Sequence, residues 1–378
     1  MFAKTLNSLS MYIKKELKIK QIIVAACLVL FPAIIFAAAT GNAPRPTQAI
    51  SSSRIPTFTV PEKLNFCGYS LPLKERHCRE MLDRELTIAA YNRAQVIMWL
   101  KRAPRYFPLF SKKIKALKLP DDLKFVAVAE SSLIDDIHSR AGAAGLWQFM
   151  QHTGRRRGLR ITSTIDERLD PVTATEHALN YLKFLKEKFK SWPLALAAYN
   201  CGEKRVTDAV NEQKTKNYHT LSLPEESERY IYRLAAIKLI LSHPAEYGYQ
   251  LDRNKCYTPL KVDYIRLNLK NEASLVDFAL RLDLTYHHLK ELNPHLIRNR
   301  LPAGKFNLIL PAGSGRKAAV ISKNLPALPS SRKTFYVVKK GDTLGAISRR
   351  FHTSSARLIR LNRLQGSKIL IGQKLRLK

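Results

Sequence analysis

The chain opens with an uncharged apolar run, Ile22 to Ala39, that follows Lys14, Lys15, Lys18 and Lys20. A positive stretch ahead of an apolar one has the form of an export signal, so the rest of the chain is expected outside the cytoplasm. Three fates fit residues 1–39: cleavage near Ala37-Ala38-Ala39, retention as a membrane anchor, or lipidation at Cys27 after Val24-Ala25-Ala26. Residues 40–61 are rich in Ser, Thr and Pro without apolar periodicity and read as a linker. From Glu80 to His243 apolar residues recur at spacings of three and four, as in Ile88, Tyr91, Val96 and Trp99, and later in Ala178, Tyr181, Leu182, Leu185 and Phe189. That period predicts a helical region at 62–115 leading into a helical domain at 116–250.

After Tyr257 the period shortens. Leu260, Val262 and Tyr264 alternate with polar residues, then Ile265, Leu267 and Leu269 do so in shifted phase, which predicts a strand with a bulge or a bend at Tyr264-Ile265. The pattern turns helical again from Leu275 to Leu292, so a second kind of domain occupies 258–310. Pro311, Pro326 and Pro329 mark 311–333 as a linker to a last module at 334–378. In that module Phe335 to Val338 reads as a strand and Gly341-Asp342-Thr343-Leu344 as a turn and helix cap. Ile347, Phe351, Leu358 and Leu361 then mark two short helices before a strand at Lys374 to Leu377. The order is βααβ. Leu289-Lys290-Glu291-Leu292-Asn293 matches Leu358-Ile359-Arg360-Leu361-Asn362, so the two C-terminal pieces are expected to be copies of one small fold. The predicted class is mainly α, with two small α+β modules.

Composition narrows the partners. The 378 residues include 64 Lys+Arg against 30 Asp+Glu, a formal excess of +34, which suits nucleic acid, an anionic membrane or an acidic wall polymer. Export sets nucleic acid aside. Of the cysteines beyond the signal, Cys67 and Cys78 enclose a short Gly- and Pro-containing loop of the kind disulfides close in exported proteins, whereas Cys201 and Cys256 could pair or stay free. No spacing suggests zinc, and no cofactor is implied.

One carboxylate stands out. Asp121 and Asp122 open a helix on which Leu123, Val126, Ala127 and Glu130 fall at i, i+3, i+4 and i+7. A carboxyl at the end of an apolar face loses solvation, so its pKa should rise toward the value a general acid needs near neutrality.

Glu130-Ser131-Ser132 is followed by Ser139-Arg140-Ala141-Gly142-Ala143-Ala144-Gly145-Leu146-Trp147-Gln148-Phe149-Met150. Asp166-Glu167-Arg168-Leu169-Asp170-Pro171 and Ala197-Ala198-Tyr199-Asn200-Cys201-Gly202-Glu203 come next. This ordered set resembles the lytic transglycosylase domain of bacterial murein-degrading enzymes, most of all the membrane-bound D class with C-terminal LysM modules. Phe66-Cys67-Gly68 and Trp99-Leu100-Lys101-Arg102 resemble that class's pre-catalytic region. The resemblance implies a lysozyme-like helical fold and a location on the periplasmic side of a bacterial envelope. It makes Glu130 the catalytic acid and Ser139, Gly145, Gln148, Met150, Tyr199, Asn200, Glu226 and Tyr230 substrate-binding residues. Glu226-Ser227 replaces the family's Glu-Thr pair. Among these, Gln148 is the better candidate for grasping a sugar amide or hydroxyl, and Trp147 the better one for the core.

Most glycosidases need two carboxyl groups. Asp135 and Asp136 are near in sequence but match nothing in the family pattern. The resemblance implies substrate assistance instead: Glu130 protonates the bond between N-acetylmuramic acid and N-acetylglucosamine, and the muramoyl C6 hydroxyl closes a 1,6-anhydro ring. The last module resembles a LysM domain, which implies glycan binding through Gly341, Asp342, Thr343, Leu344, Ile369 and Leu370. Its five Lys and six Arg against Asp342 suit an anionic wall. The upstream copy has Glu272-Ala273-Ser274-Leu275 in place of the Gly-Asp-Thr-Leu loop, so the fold is expected there with sugar binding in doubt. Rival readings are a muramidase-type hydrolase of the same bond and a catalytically inactive wall-binding protein.

Overall fold

A computed structural model describes residues 56–328, 335–351 and 353–377. The expected signal or anchor, and the linker up to residue 55, lie outside the described residues. Among these, no helix is long and apolar enough to cross a membrane.

The described chain begins with a small hairpin, β1 (Asn65–Phe66) and β2 (Tyr69–Ser70). Cys67 and Gly68 form its turn with φ of 52° and 76°, the doubly positive backbone that a two-residue hairpin turn requires. Two helices follow, α1 (Arg76–Tyr91) and α2 (Arg93–Ala116). Both cysteines of the expected Cys67–Cys78 bridge are free thiols. The turn holds Cys67 by its N–H on the Asp122 carboxylate at 2.7 Å, while Cys78 on α1 directs its Sγ toward Glu75 at 3.6 Å. Spacing brought the two close in sequence but says nothing of side-chain direction.

The helical domain continues with α3 (Lys124–Ser131), α4 (Gln151–Arg156), α5 (Pro171–Phe189), α6 (Trp192–Cys201), α7 (Glu203–Gln213), α8 (Glu225–Glu228) and α9 (Tyr230–Ser242). Asp170 caps α5 by accepting from the N–H groups of Val172 and Thr173, with Pro171 at the first helical position. Helix α9 is apolar almost all round, so it lies inside, packed on α1, α3 and α6 with Ile231, Leu234, Ala235 and Ile240 buried. His219 exchanges hydrogen bonds with Tyr232 at 2.7 Å and Tyr69 at 2.9 Å, joining the hairpin to this core.

The next module contains β3 (Val262–Leu269), β4 (Ala273–Ser274), α10 (Leu275–Arg281), α11 (Tyr286–Leu292), β5 (Arg300–Leu301) and β6 (Gly304–Pro311). Strands β3 and β6 pair antiparallel without a break, from Val262 opposite Pro311 to Leu269 opposite Gly304. The expected bulge is therefore absent: Tyr264 faces solvent at 54% exposure, and Ile265, Leu267 and Leu269 alone carry the inner face. The segment expected as a linker also departs from expectation. Its first half forms α12 (Gly315–Lys323), whose Ala318 and Ile321 pack on the module core, because their spacing makes an apolar face that β3 covers.

The last module is βααβ as expected, with β7 (Phe335–Val337), α13 (Leu344–Arg350), α14 (Ser355–Asn362) and β8 (Lys374–Arg376). The repeated asparagine explains the repeat. Asn293 donates to Leu289 O and Ile309 O and accepts from Ile309 N–H, each within 2.8 Å. Asn362 does the same with Leu358 O, Arg376 O and Arg376 N–H, at 2.9, 2.8 and 2.6 Å. In both modules one amide side chain ties the second helix to the closing strand.

The upstream module is docked on the helical domain. Asp166 N–H donates to His295 O at 2.8 Å and Ile297 N–H to Thr164 O at 3.0 Å, and Ile165, 1% exposed, is part of the module's core. Asn307 donates to Thr173 Oγ1 at 2.8 Å. The module thus uses its loop after α11 to hold residues 164–166, and in the last module the matching loop leaves Leu370 68% exposed.

Candidate active site

The apolar face read from the sequence is buried: Leu123, Val126 and Ala127 have no exposed surface, and Glu130 sits at the C-terminal end of α3. Its Oε1 accepts the hydroxyl proton of Tyr230, the first residue of α9. Burial pushes the Glu130 carboxyl up from 4.5 to about 7; the Tyr230 bond and the Arg233 charge pull it down, and Glu226 pushes it up. Half of such groups are therefore protonated near neutrality, the state a general acid needs. Tyr199 and Tyr230 are both held well above the ordinary tyrosine range by burial and by the Glu130 charge, so both keep their protons. Tyr199 donates to Trp147 O at 2.7 Å, which fixes α6 against the loop carrying Gln148.

That loop is built for close approach. Gly145 has φ of 77°, and a Cβ there would stand 2.0 Å from Arg168 O, so only glycine fits. Arg168, 6% exposed, pairs with Asp166 at 2.6 Å and donates to Gly142 O at 2.7 Å and Phe149 O at 2.9 Å. Its buried charge is both paired and hydrogen-bonded, the condition under which such a charge is tolerated. Nothing in the spacing of Asp166 and Arg168 assigns that pair a task. Its task is to clamp the ends of the loop, and Asp166 in turn is held by the upstream module through His295 O.

The remaining expected site residues divide. Trp147 is fully buried and donates its indole N–H to Thr175 Oγ1 at 2.9 Å, as expected of a core residue. Gln148 donates through Nε2 to Gly145 O at 2.9 Å and Ile137 O at 3.4 Å, so its amide nitrogen shapes the loop and its Oε1 is the atom left to meet a ligand. Ser139 Oγ accepts from Ala143 N–H at 3.0 Å and likewise holds the turn. Met150 is exposed at the start of α4. Asn200 accepts from Ser227 Oγ at 2.6 Å, so the serine hydroxyl ties α8 to α6. Glu226 is exposed and pairs with Arg233 at 3.3 Å, reaching Glu130 through its field alone. The sequence signal for Arg233 is its place one helical turn beyond Tyr230.

Asp135, the carboxylate nearest in sequence to Glu130 after the helix, accepts from Tyr106 O–H at 3.0 Å, and burial raises its pKa. In the last module Asp342 accepts from Lys339 N–H and Tyr336 O–H, both at 2.7 Å, Thr343 caps α13, Leu344 is buried and Ile369 is partly buried against the core. Gly341 has the positive φ, 90°, that the turn needs.

The family described as Transglycosylase SLT domain matches residues 109–222, and LysM domain matches residues 336–378. The chain is 31% identical over 290 residues to membrane-bound lytic murein transglycosylase D of Escherichia coli strain K12, covering 72% of this chain and 63% of that protein. It is 35% identical over 132 residues to peptidoglycan transglycosylase gp16 of Escherichia phage T7, covering 34% of this chain and 10% of that one. The solved 70 kDa soluble lytic transglycosylase of Escherichia coli superposes with a TM-score of 0.33 and 21% identity, over 44% of this chain and 30% of that chain. The chain spans about 63% of the length of the D-type relative. The chain thus carries a transglycosylase SLT domain followed by a LysM domain and is similar, over most of its length, to the membrane-bound lytic murein transglycosylase D class that its motifs resemble.

Proposed function

We propose that the protein cleaves the β-1,4 bond between N-acetylmuramic acid and N-acetylglucosamine in peptidoglycan and leaves 1,6-anhydro muramoyl ends. The observation that carries this is Glu130, raised to about 7 by burial and bonded to Tyr230. Protonated Glu130 gives its proton to the glycosidic oxygen as the C1–O bond breaks, and the muramoyl N-acetyl group supports the cation at C1. The carboxylate so formed takes the proton of the C6 hydroxyl, whose oxygen bonds to C1. Water is not consumed, and the tethered hydroxyl gains the advantage of high effective concentration. Tyr230, as a donor to the carboxylate, steadies it between the two proton transfers.

A hydrolase of the same bond needs a second ionised carboxylate to direct water. Asp135 is turned onto Tyr106 and has its pKa raised, which suits that task poorly. Glycan tethering falls to the last module, with residues 341–344 and 369–370 as its sugar-binding loops; the exposure of Leu370 supports this reading. The upstream module serves as a brace, since its matching loop is spent on residues 164–166. The proposed substrate and the excess of 34 positive charges in the sequence support a location at the cell wall, and the segment before residue 40 would deliver the protein to the membrane or across it.

Glu130→Gln tests the reading. The amide cannot give or take the proton, and general acid–base help is worth roughly a hundredfold to ten-thousandfold. Activity on peptidoglycan should nearly vanish while sedimentation with insoluble peptidoglycan is kept; full activity in the variant overturns the site.

A further inference from the structure

Where the upstream module meets the helical domain, the seam leaves a polar cavity of about 270 Å³. Glu167, Glu176 and His177 line it from the helical domain, and Arg266, Lys305 and Asn307 from strands β3 and β6. Arg266 stands opposite Asn307 in the strand register and Lys305 lies two residues from Asn307, so the two cations are diagonal neighbours on one face. The carboxylates of the cavity are already engaged. Glu176 pairs with Lys113 at 2.7 Å, and Glu167 accepts from the Arg160 N–H at 2.7 Å with Arg160 Nε 3.8 Å away. The module's cations are not engaged. Among the described residues neither the Arg266 guanidinium nor the Lys305 ammonium has a hydrogen bond or an ion pair, and Arg266 reaches Glu176 through its field alone. After the existing pairs are counted, two positive charges are left facing the cavity. Arg160 adds spare donors beside them. Its Nη1 donates to Lys305 O at 2.7 Å, while its Nε and Nη2 are buried without a hydrogen-bond partner, an exception to the rule that buried polar groups are satisfied.

Unpaired cations call for an anion, and the rest of the lining calls for hydroxyl groups. Glu167 and Glu176 are acceptors, and Asn307, whose Nδ2 donates to Thr173, keeps its Oδ1 as another. At roughly 30 Å³ per water the cavity has room for several waters, more than a bare oxyanion fills. We propose that the seam cavity binds one carboxylate-bearing sugar, a unit of the muramic acid type, with its carboxylate on Arg266 and Lys305 and its hydroxyls on Glu167 and Glu176. This site lies apart from Glu130 and serves regulation. Glu167 stands between Asp166 and Arg168, the pair that clamps the loop carrying Gln148, and Asp166 N–H crosses the seam to His295 O at 2.8 Å. A sugar acid that bridges Glu167 and the module's cations meets its full set of partners only when the module is docked, so it favours the docked arrangement. The clamp on the loop then tightens as such sugars accumulate at the wall.

Hydrogen exchange at the Asp166 and Ile297 N–H groups, which cross the seam, reads the site without any turnover. Sodium N-acetylmuramate at about ten times its dissociation constant should slow exchange at both by about tenfold, because exchange needs an open seam and the sugar binds the docked one. N-acetylglucosamine, which lacks the lactyl carboxylate, and inorganic phosphate, which lacks the sugar, should each protect far less at the same concentration. A chain carrying both Arg266→Gln and Lys305→Gln should exchange like wild type without sugar, since neither side chain is bonded, and should bind N-acetylmuramate about tenfold more weakly or worse. Equal protection by N-acetylglucosamine overturns the part given to the carboxylate, and equal protection by phosphate reduces the site to one for simple anions. No protection by N-acetylmuramate, or full protection in the double variant, removes the sugar from this cavity. Faster exchange in the sugar-free double variant means that the two cations hold the seam themselves and overturns their being spare. None of these outcomes involves Glu130, so the proposed reaction stands or falls separately.

Discussion

Tyr230 gives its hydroxyl proton to the Oε1 of Glu130, one hundred residues earlier in the chain, and so couples the start of the central helix α9 to the end of α3. The bond favours the ionised carboxyl and opposes the burial that raises it to about 7. Since the proposed reaction begins with protonated Glu130, kcat/KM should fall as pH rises through about 7. Tyr230→Phe removes the opposing bond. The falling limb should move to higher pH, and the maximum rate should drop roughly ten- to hundredfold, the worth of a hydrogen bond to a charged group. A pH–rate profile of both proteins checks it; a limb that moves to lower pH contradicts the assigned contact.

The same carboxyl makes a prediction about stability. Its pKa is raised on folding from 4.5 to about 7, so the folded state holds the proton more tightly; that stability is complete below 4.5 and lost as pH climbs through about 7. Above that pH the native protein carries a half-buried, poorly solvated charge that Glu130→Gln lacks. Urea unfolding at pH 8 should find the variant more stable by up to about 3 kcal/mol, and the difference should shrink toward zero at pH 4. A variant less stable than wild type at pH 8 contradicts the buried placement.

Gly145→Ala places a methyl group where 2.0 Å separates Cβ from Arg168 O, at a φ of 77°. The loop must move, at a cost of roughly 2–4 kcal/mol. Because that loop carries Gln148 and lies on Trp147 O, the bond acceptor of Tyr199, activity should fall more steeply than stability alone accounts for. Thermal melting beside kcat/KM measures the two effects separately.

The brace formed by the upstream module has its own test. Ile165 belongs by sequence to the helical domain but is buried in the module's core. Ile165→Ala should cost about 2–4 kcal/mol and increase hydrogen exchange at Asp166 and Ile297, whose N–H groups cross the seam. Exchange unchanged at both would mean that the two parts are held together without this contact.

What the sequence disclosed follows from what periodicity encodes. The spacing of Leu123, Val126, Ala127 and Glu130 placed a carboxyl at the end of a buried face, because a helix repeats every few residues and the face is written into that repeat. The asparagine shared by the two small modules was visible as a repeat because both use it for the same bonds. Direction and docking were not visible. Cys67 and Cys78 are close in sequence yet stay free thiols, Gln148 and Ser139 bend back on their own loop, and Ile165 enters a neighbouring module's core without any periodic mark. Arg168 lies in a recognisable motif, but its two carbonyl partners, 26 and 19 residues away, only a folded chain brings together.

The central claim is that Glu130 acts alone and the sugar's own C6 hydroxyl replaces water. Peptidoglycan digested with the wild-type chain should be separated and weighed by mass spectrometry. Muramoyl ends lighter by one water than reducing ends, in predominance and absent from the Glu130→Gln digest, are the result this account predicts. Predominantly reducing ends would contradict it, make the enzyme a hydrolase and direct attention to Asp135 as the second carboxylate.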